Sequence, residues 1–324
     1  MKKLIFNNAG APETVLEIIE TAIPQPQAGE VLVKVKASPV NPADIAFVNG
    51  VYGIRPQLPS SGAGFEGSGT VEAIGEDVNL PLGSKVSFTA IGAWGEYVIV
   101  PAKAIMPLPE TMPFEVGCQV FVNPLTAWAM LYESKLEAGD WLLLTAGGST
   151  FAQLVVQLAV KKGIKTICTV RRNDQIEQLK ALGAVEVINT TEVNLPKRVR
   201  ELTDKKGVNC CLDATGGDLA ALALQSLAYK GSMFVYGMLS GKEMPINNGL
   251  MIFKSLSIRG FWLTTWLQEA DKDARKQASK DVISMLNSGE LKVNIDAAYA
   301  LEDHKKAFIH AQQEGRKGKI LITP

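Results

Sequence analysis

Eight consecutive residues, Thr145-Ala146-Gly147-Gly148-Ser149-Thr150-Phe151-Ala152, combine small side chains with a hydroxyl placed to cap a helix. Such a stretch lets backbone come close to a bulky anion, with helix-terminal amides facing its charge. Gly148, Ser149, Thr150 and Phe151 are therefore candidates to cradle a pyrophosphate. The spacing departs from G-x-G-x-x-G, and a small-residue turn without a ligand is the competing reading. Further along, Cys168-Thr169-Val170 runs into Arg171-Arg172-Asn173. A carboxylate here would suit free ribose hydroxyls, whereas guanidiniums suit a phosphate ester through charge-assisted, bidentate bonds. The pair predicts NADPH rather than NADH; the alternative is a solvated basic pair at a strand end.

Other chemistry is missing. The chain has two histidines, His304 and His310. Six residues of helix turn through about 600°, so the two rings do not share a face. They read as surface helix histidines, which argues against a His-based triad or a His/Cys zinc site. Cys118, Cys168, Cys210 and Cys211 have neither metal-type spacing nor a disulfide pattern, which suits a reduced, cytoplasmic protein.

The elements that must hold these residues emerge from periodicity. Val31 to Lys36 alternates with period two, and Gly62, Gly64, Gly67, Gly69, Gly75 and Gly83 punctuate the next stretch of chain. Short strands broken by Gly and Pro predict a partly open antiparallel β-barrel. Near Pro124 the texture changes to apolar strands alternating with amphipathic helices. Strands are expected at Trp141–Thr145, Thr166–Val170, Val185–Ile188, Cys210–Ala214, Met233–Tyr236 and Ser257–Phe261. A helix from about Ser149 carries Leu154, Val155, Leu158 and Ala159 on one stripe and ends at Lys161-Lys162-Gly163. The alternation predicts an α/β fold with a doubly wound parallel sheet. The expected domains are residues 1–119 with 290–324, and residues 120–289.

Bulk properties set the remaining limits. The 324 residues are 47% hydrophobic, enough for two cores. Thirty-three basic residues match thirty-three acidic ones, so there is no basic excess for nucleic acid. No apolar run approaches the roughly 18 residues of a membrane helix, and Met1 to Asn8 reads as a first strand rather than a signal peptide.

Taken with these motifs, the chain resembles the medium-chain dehydrogenase/reductase superfamily, a chaperonin-like barrel split around a Rossmann domain. Zinc members carry a cysteine near Asn41 and a histidine in a Gly-His-Glu segment; here the sequence reads Asn41-Pro42-Ala43-Asp44 and Gly64-Phe65-Glu66-Gly67. The resemblance is therefore to the zinc-free branch and implies no metal. Gly50-Val51-Tyr52 and Pro56-Gln57-Leu58-Pro59 are similar to the segment of mitochondrial-type 2-enoyl thioester reductases that holds a catalytic tyrosine, which maps to Tyr52. Val122-Asn123-Pro124-Leu125-Thr126-Ala127 resembles the segment whose asparagine, here Asn123, lies near the nicotinamide. The resemblance also assigns Tyr236-Gly237-Met238-Leu239 to the nicotinamide loop and Phe261 to the cofactor site. Trp262 goes to the cofactor and substrate pocket, and Lys319 to the cofactor. Trp262 and Trp266 equally suit a core, and Trp266 is read that way. Ala152 replaces a family glycine, and Asn173 replaces the second arginine of an Arg-x-Arg pattern.

The resemblance implies reduction of an activated C=C bond by NADPH, with Tyr52 donating to the substrate carbonyl and Asn123 orienting nicotinamide or tyrosine. The expected substrate is a 2-enoyl thioester. A quinone or small enone, or an NADPH-binding role without turnover, are the alternatives. The family further implies a homodimer.

Overall fold

The computed structural model describes residues 1–324. Its packing divides the chain into two compact units, Met1–Val122 with Ile283–Pro324, and Asn123–Val282. The first carries strands β1 (Lys2–Phe6), β2 (Leu16–Glu20), β3 (Glu30–Pro39), β4 (Ser61–Gly62), β5 (Glu66–Ile74), β6 (Lys85–Thr89), β7 (Tyr97–Pro101) and β8 (Ile105–Pro107). The second carries β9 (Trp141–Leu144), β10 (Lys165–Val170), β11 (Glu186–Asn189), β12 (Val208–Asp213), β13 (Leu227–Val235) and β14 (Ser257–Gly260). The returning segment adds β15 (Ile295–Ala300) and β16 (Lys319–Thr323) to the first unit.

In the first unit β3 is the organising strand. It pairs with β5 along most of its length, with β7 through Glu30–Lys34, and with β16 at Ser38 and Pro39. β5 then pairs with β6, and β6 with β8; every one of these ladders is antiparallel. The strands enclose Val31, Val33, Val35, Val71, Val86, Phe88, Val98 and Val100, and no ladder joins β7 to β8, so the barrel stays open. Alternation along β3 is clean only from Val33 to Ala37; Val31 to Val33 are all buried. A second core, built on Phe6, Phe47, Trp94, Phe308, Ile320 and Ile322, supports Tyr52 and Phe65 at its edge.

The second unit has one sheet in the order β11-β10-β9-β12-β13-β14, with all neighbours parallel. Its central strand β9 buries Leu142, Leu143 and Leu144 completely or nearly so, a burial that contributes about 1.5–3 kcal/mol per side chain. Chain progress reverses between β9 and β12. Ligands of open parallel sheets bind at the carboxyl ends of such a strand pair. The helix Thr150–Lys161 follows β9 and stops at Gly163, φ +68°, where glycine takes the left-handed turn without strain.

The expectation of two surface histidines needs correcting. His304 is buried, with Nδ1 3.1 Å from the Leu301 carbonyl and Nε2 3.3 Å from that of Leu16. The face of helix His304–Gln312 that carries His304, Ala307 and Phe308 packs into the core, so the ring replaces water with two carbonyls. His310 is half-buried, its Nδ1 2.9 Å from the Tyr299 hydroxyl and its Nε2 3.4 Å from Asp296 Oδ2. No helix is long and apolar enough to cross a membrane.

Candidate active site

The nucleotide turn occupies the carboxyl end of β9. Ser149 has extended backbone and its Oγ accepts from Ala152 N at 3.1 Å, an N-cap that contributes about 1 kcal/mol. Ala146 sits at φ +49°, a left-handed conformation costing about 1–2 kcal/mol for a residue with a Cβ. Gly147 donates to the Thr169 carbonyl at 2.7 Å, and a Cβ there would lie 2.7 Å from the Cβ of Cys168. The turn is thus drawn hard against β10. At Gly148 a Cβ would strike the Gln175 amide at 2.4 Å. A strained turn and a capped helix start are features that suit a dinucleotide phosphate, while both glycines serve close packing within the protein.

The second unit carries several further expected site residues. The Phe151 and Tyr236 rings pack with centroids 4.5 Å apart, which ties the turn to the end of β13. Burial, and then the nearby Asp213 carboxylate, push the Tyr236 phenol well above its ordinary range. Gly237 presses on Ala214, where a Cβ would meet the carbonyl oxygen at 2.6 Å. Met238 and Leu239 are exposed, and Phe261 donates to the Val235 carbonyl at 2.9 Å. Trp262 is 39% exposed at the start of helix Leu263–Glu269. Trp266 is buried and its indole donates to Glu133 Oε1 at 3.2 Å, which places it in the core. Asn123 opens helix Asn123–Ser134 and is half-buried.

The Arg171–Asn173 segment is less uniform than its sequence. Arg171 and Arg172 are both exposed. Arg172 makes a two-point contact with Asp174, Nε to Oδ1 at 3.1 Å and Nη2 to Oδ2 at 2.6 Å. Asn173 donates to Glu192 at 2.9 Å and accepts from Asn189 at 2.8 Å, so both ends of its amide are taken by protein groups.

Tyr52 and Lys319 belong to the first unit. The Tyr52 ring packs on Phe65 (5.4 Å between centroids), Phe65 on Phe47 (5.0 Å) and Phe47 on Phe6 (5.8 Å), an aromatic row that fixes the loop tyrosine to the core. Lys319 is buried and its ammonium donates to Asn41 Oδ1. Asn41 Nδ2 donates in turn to Glu66 Oε1 at 2.8 Å, and Glu66 Oε2 accepts from Val122 N at 2.9 Å. Asp44 Oδ2 accepts from Asn41 N at 2.8 Å, while Oδ1 is buried with no partner. Burial pushes the Glu66 and Asp44 carboxyls up to about 7 and the Lys319 ammonium down to about 8, each against the pull of its oppositely charged neighbours. The sequence alone gives no role to Asn41, Asp44 or Glu66, although all three stand where zinc members place their ligand segments. Asp213 carries even less signal, an acid closing an apolar strand just before Thr215-Gly216-Gly217.

Comparison with known proteins bears on the family. Residues 27–110 match the alcohol dehydrogenase GroES-like domain, and residues 152–280 match the zinc-binding dehydrogenase family. Human mitochondrial enoyl-[acyl-carrier-protein] reductase is 30% identical over 331 residues, covering 100% of this chain and 88% of that protein. The enzyme of the same name from Arabidopsis thaliana is 34% identical, covering 99% and 88%. The chain belongs to the medium-chain dehydrogenase/reductase superfamily. Among solved structures, Escherichia coli quinone oxidoreductase complexed with NADPH superposes on this superfamily member with a TM-score of 0.92 at 27% identity, covering all of both chains. A Pseudomonas syringae quinone oxidoreductase gives 0.91 at 30% identity, covering 100% of this chain and 99% of that one.

A metal named in one of the matching families does not suit this superfamily member. No three His, Cys, Asp or Glu side chains converge in a way that would hold one. Phe65 stands beside Glu66, and the buried Lys319 ammonium already lies against Asn41. A second cation there would meet like-charge repulsion.

Proposed function

We propose that this oxidoreductase uses NADPH to reduce the activated carbon–carbon double bond of a 2-enoyl thioester. The observation that carries the reading is Tyr52 held on the Phe65–Phe47–Phe6 row, within a chain whose full-length relatives include enoyl reductases. The cofactor assignment rests on the capped Ser149 turn and on Arg171 and Arg172, and is supported by the NADPH found in the E. coli neighbour. Gly148, Ser149, Thr150 and Phe151 would take the pyrophosphate, Arg171 and Arg172 the ribose phosphate. Asn123 and Tyr236–Leu239 would take the nicotinamide half, with Phe261 and Trp262 beside it, and the resemblance gives Lys319 a part in holding the cofactor. With its amide committed to Glu192 and Asn189, Asn173 would act through its neighbours.

When bound, NADPH supplies the hydride. Addition at the β-carbon moves the C=C electron pair toward the carbonyl oxygen, and a proton at the α-carbon completes the reduction. The Tyr52 hydroxyl donates to that oxygen as its charge develops, and can pass the proton on directly or through water. A phenol locked by packing loses little entropy in making the bond, which is the value of the aromatic row.

A quinone or enone reductase is the second reading, favoured by the quinone oxidoreductases among the structural neighbours. The test is NADPH oxidation with crotonyl- and hexenoyl-thioesters beside a quinone panel, for wild type and Tyr52→Phe. Thioester turnover that falls about 100-fold in the variant supports the enoyl reductase. Quinone turnover indifferent to the substitution leaves the second reading. NADPH binding with no turnover on any acceptor leaves a binding protein.

We also infer a homodimer in a reducing, cytoplasmic setting. β14 leaves one sheet edge unpaired, and the same unit exposes Ile252 (68%) and Phe253 (81%). All four cysteines are buried free thiols. A single-protomer mass by light scattering would overturn the dimer.

A further inference from the structure

Asp213 ends β12 at the point where strand order reverses, and it is wholly buried. Its carboxylate accepts four hydrogen bonds. Oδ1 takes the Thr145 hydroxyl at 2.7 Å, the Thr215 hydroxyl at 2.7 Å and Thr215 N at 3.1 Å. Oδ2 takes Gly216 N at 2.9 Å. The Thr145 hydroxyl also accepts from Ala214 N at 2.8 Å, so its single proton must point at Asp213. The carboxyl ends of β9 and β12 are thereby closed into a ring of hydrogen bonds.

That ring carries a second loop. Tyr236 N donates to the Asp213 carbonyl at 2.9 Å, Leu239 N to Ala214 at 3.0 Å and Ser240 N to Thr215 at 2.9 Å. Gly217 N returns a bond to the Lys242 carbonyl at 3.1 Å. The segment from Tyr236 to Lys242 thus hangs on residues 213–217, which hang on one carboxylate and one hydroxyl. Thr145 is also the first residue of the nucleotide turn. The arrangement sets the spacing between the turn at Gly147–Ser149 and the loop at Tyr236–Leu239. None of these bonds involves Arg171 or Arg172.

We propose that Asp213, acting with Thr145, is a positioning residue for the nicotinamide end of NADPH. It fixes the height of the Tyr236–Leu239 loop above the pyrophosphate turn and leaves the adenosine-phosphate end alone. This rests on the reading that the Tyr236–Leu239 loop meets the nicotinamide. Asparagine cannot replace Asp213, because in either orientation its amide NH₂ would face a backbone N–H, that of Gly216 or that of Thr215. Valine at 145 keeps the shape and removes the hydroxyl, whereas serine keeps the hydroxyl.

The experiment compares Asp213→Asn, Thr145→Val and Thr145→Ser with wild type. It measures affinity for NADPH and for 2′,5′-ADP, which has only the adenosine end, with kcat at saturating NADPH and the melting temperature alongside. Asp213→Asn and Thr145→Val should weaken NADPH by about tenfold, the scale of 1.4 kcal/mol, and lower kcat. Their 2′,5′-ADP affinity should stay within about twofold of wild type, and Thr145→Ser should restore NADPH affinity and kcat. Equal weakening of both ligands, or Thr145→Ser behaving like Thr145→Val, would overturn the proposal and leave Asp213 a stability residue. If Asp213→Asn does not fold, the two threonine variants decide. Wild type that binds NADPH no tighter than 2′,5′-ADP would sink the loop assignment itself, an outcome separate from failure of the variants alone.

Discussion

The two units each bury a network of polar side chains, and they solve the cost of doing so in opposite ways. In the second unit, the Asp213 carboxylate is surrounded by neutral donors, two hydroxyls and two backbone amides. In the first, Glu66 and Asp44 share one cation, Lys319, through Asn41, and Asp44 Oδ1 goes without a partner. Removing charge from water is expensive unless hydrogen bonds replace the lost solvent one for one. Asp213 has that replacement, so its network acts as a fixed joint. The Glu66 cluster has it only in part, because Asp44 Oδ1 stays without a partner and two carboxyls face one buried ammonium. Burial raises the carboxyls and lowers the lysine toward neutral pH, where one proton alters the balance. Neutral donors at both oxygens set geometry; two carboxyls that share one buried cation are free to respond.

The difference is largest at Lys319. Lys319→Met removes the buried cation hydrogen-bonded within the cluster and leaves two buried carboxyls, with the Arg316 guanidinium as the nearby positive charge. Without the cation that lowers them both carboxyls titrate higher still, so at pH 8 folding must take up protons or strand charge. The expected loss of stability is up to about 3–5 kcal/mol, the usual cost of stranding a buried charge. At pH 6 both carboxyls hold protons and the loss should shrink to a small fraction of that. Denaturant unfolding at the two pH values reads it directly. An equal loss at both would mean that the lysine acts by packing its stem, and that the cluster is as fixed as the Asp213 joint.

Much of this organisation was legible in the chain. The six strands of the second unit follow from apolar runs between helices, and Ser149 announces its cap by standing between a strand and an amphipathic stripe. Periodicity reports burial along one element, so Trp266 could be placed in the core. It cannot report which elements meet. His304 looked solvated because its segment is polar overall; only the packing of Phe308 and Ala307 shows that its face points inward. Asp213, Asn41, Glu66 and Lys319 matter through partners between 25 and 278 residues away or at the next strand end, and local pattern does not encode such pairings. The Asp174 carboxylate that occupies Arg172 stands only two residues along, but an acid beside a basic pair reads as surface composition until its geometry is seen.

A smaller effect sharpens the contrast further, because its sign depends on the direction of each shift. Glu66 and Asp44 are raised to about 7 from values near 4, so their contribution to stability is full below the unfolded values. It is lost as pH climbs through 7, since the unfolded chain releases these protons first. Lys319 is lowered to about 8 from 10.5, so its contribution is full above 10.5 and is lost as pH falls through 8. Both limbs put the cluster at its least favourable between pH 7 and 8. Unfolding midpoints should therefore decline from pH 5 to 7 and recover above 8. Glu66→Gln should flatten the decline by removing one of its two carboxyls, with Asp44 supplying what remains. Thr145→Val, which loosens the Asp213 joint, should lower the whole curve without changing its shape. A Glu66→Gln curve parallel to wild type would show that Glu66 binds its proton alike in the folded and the unfolded chain, and the contrast between a fixed joint and a responsive one would fall.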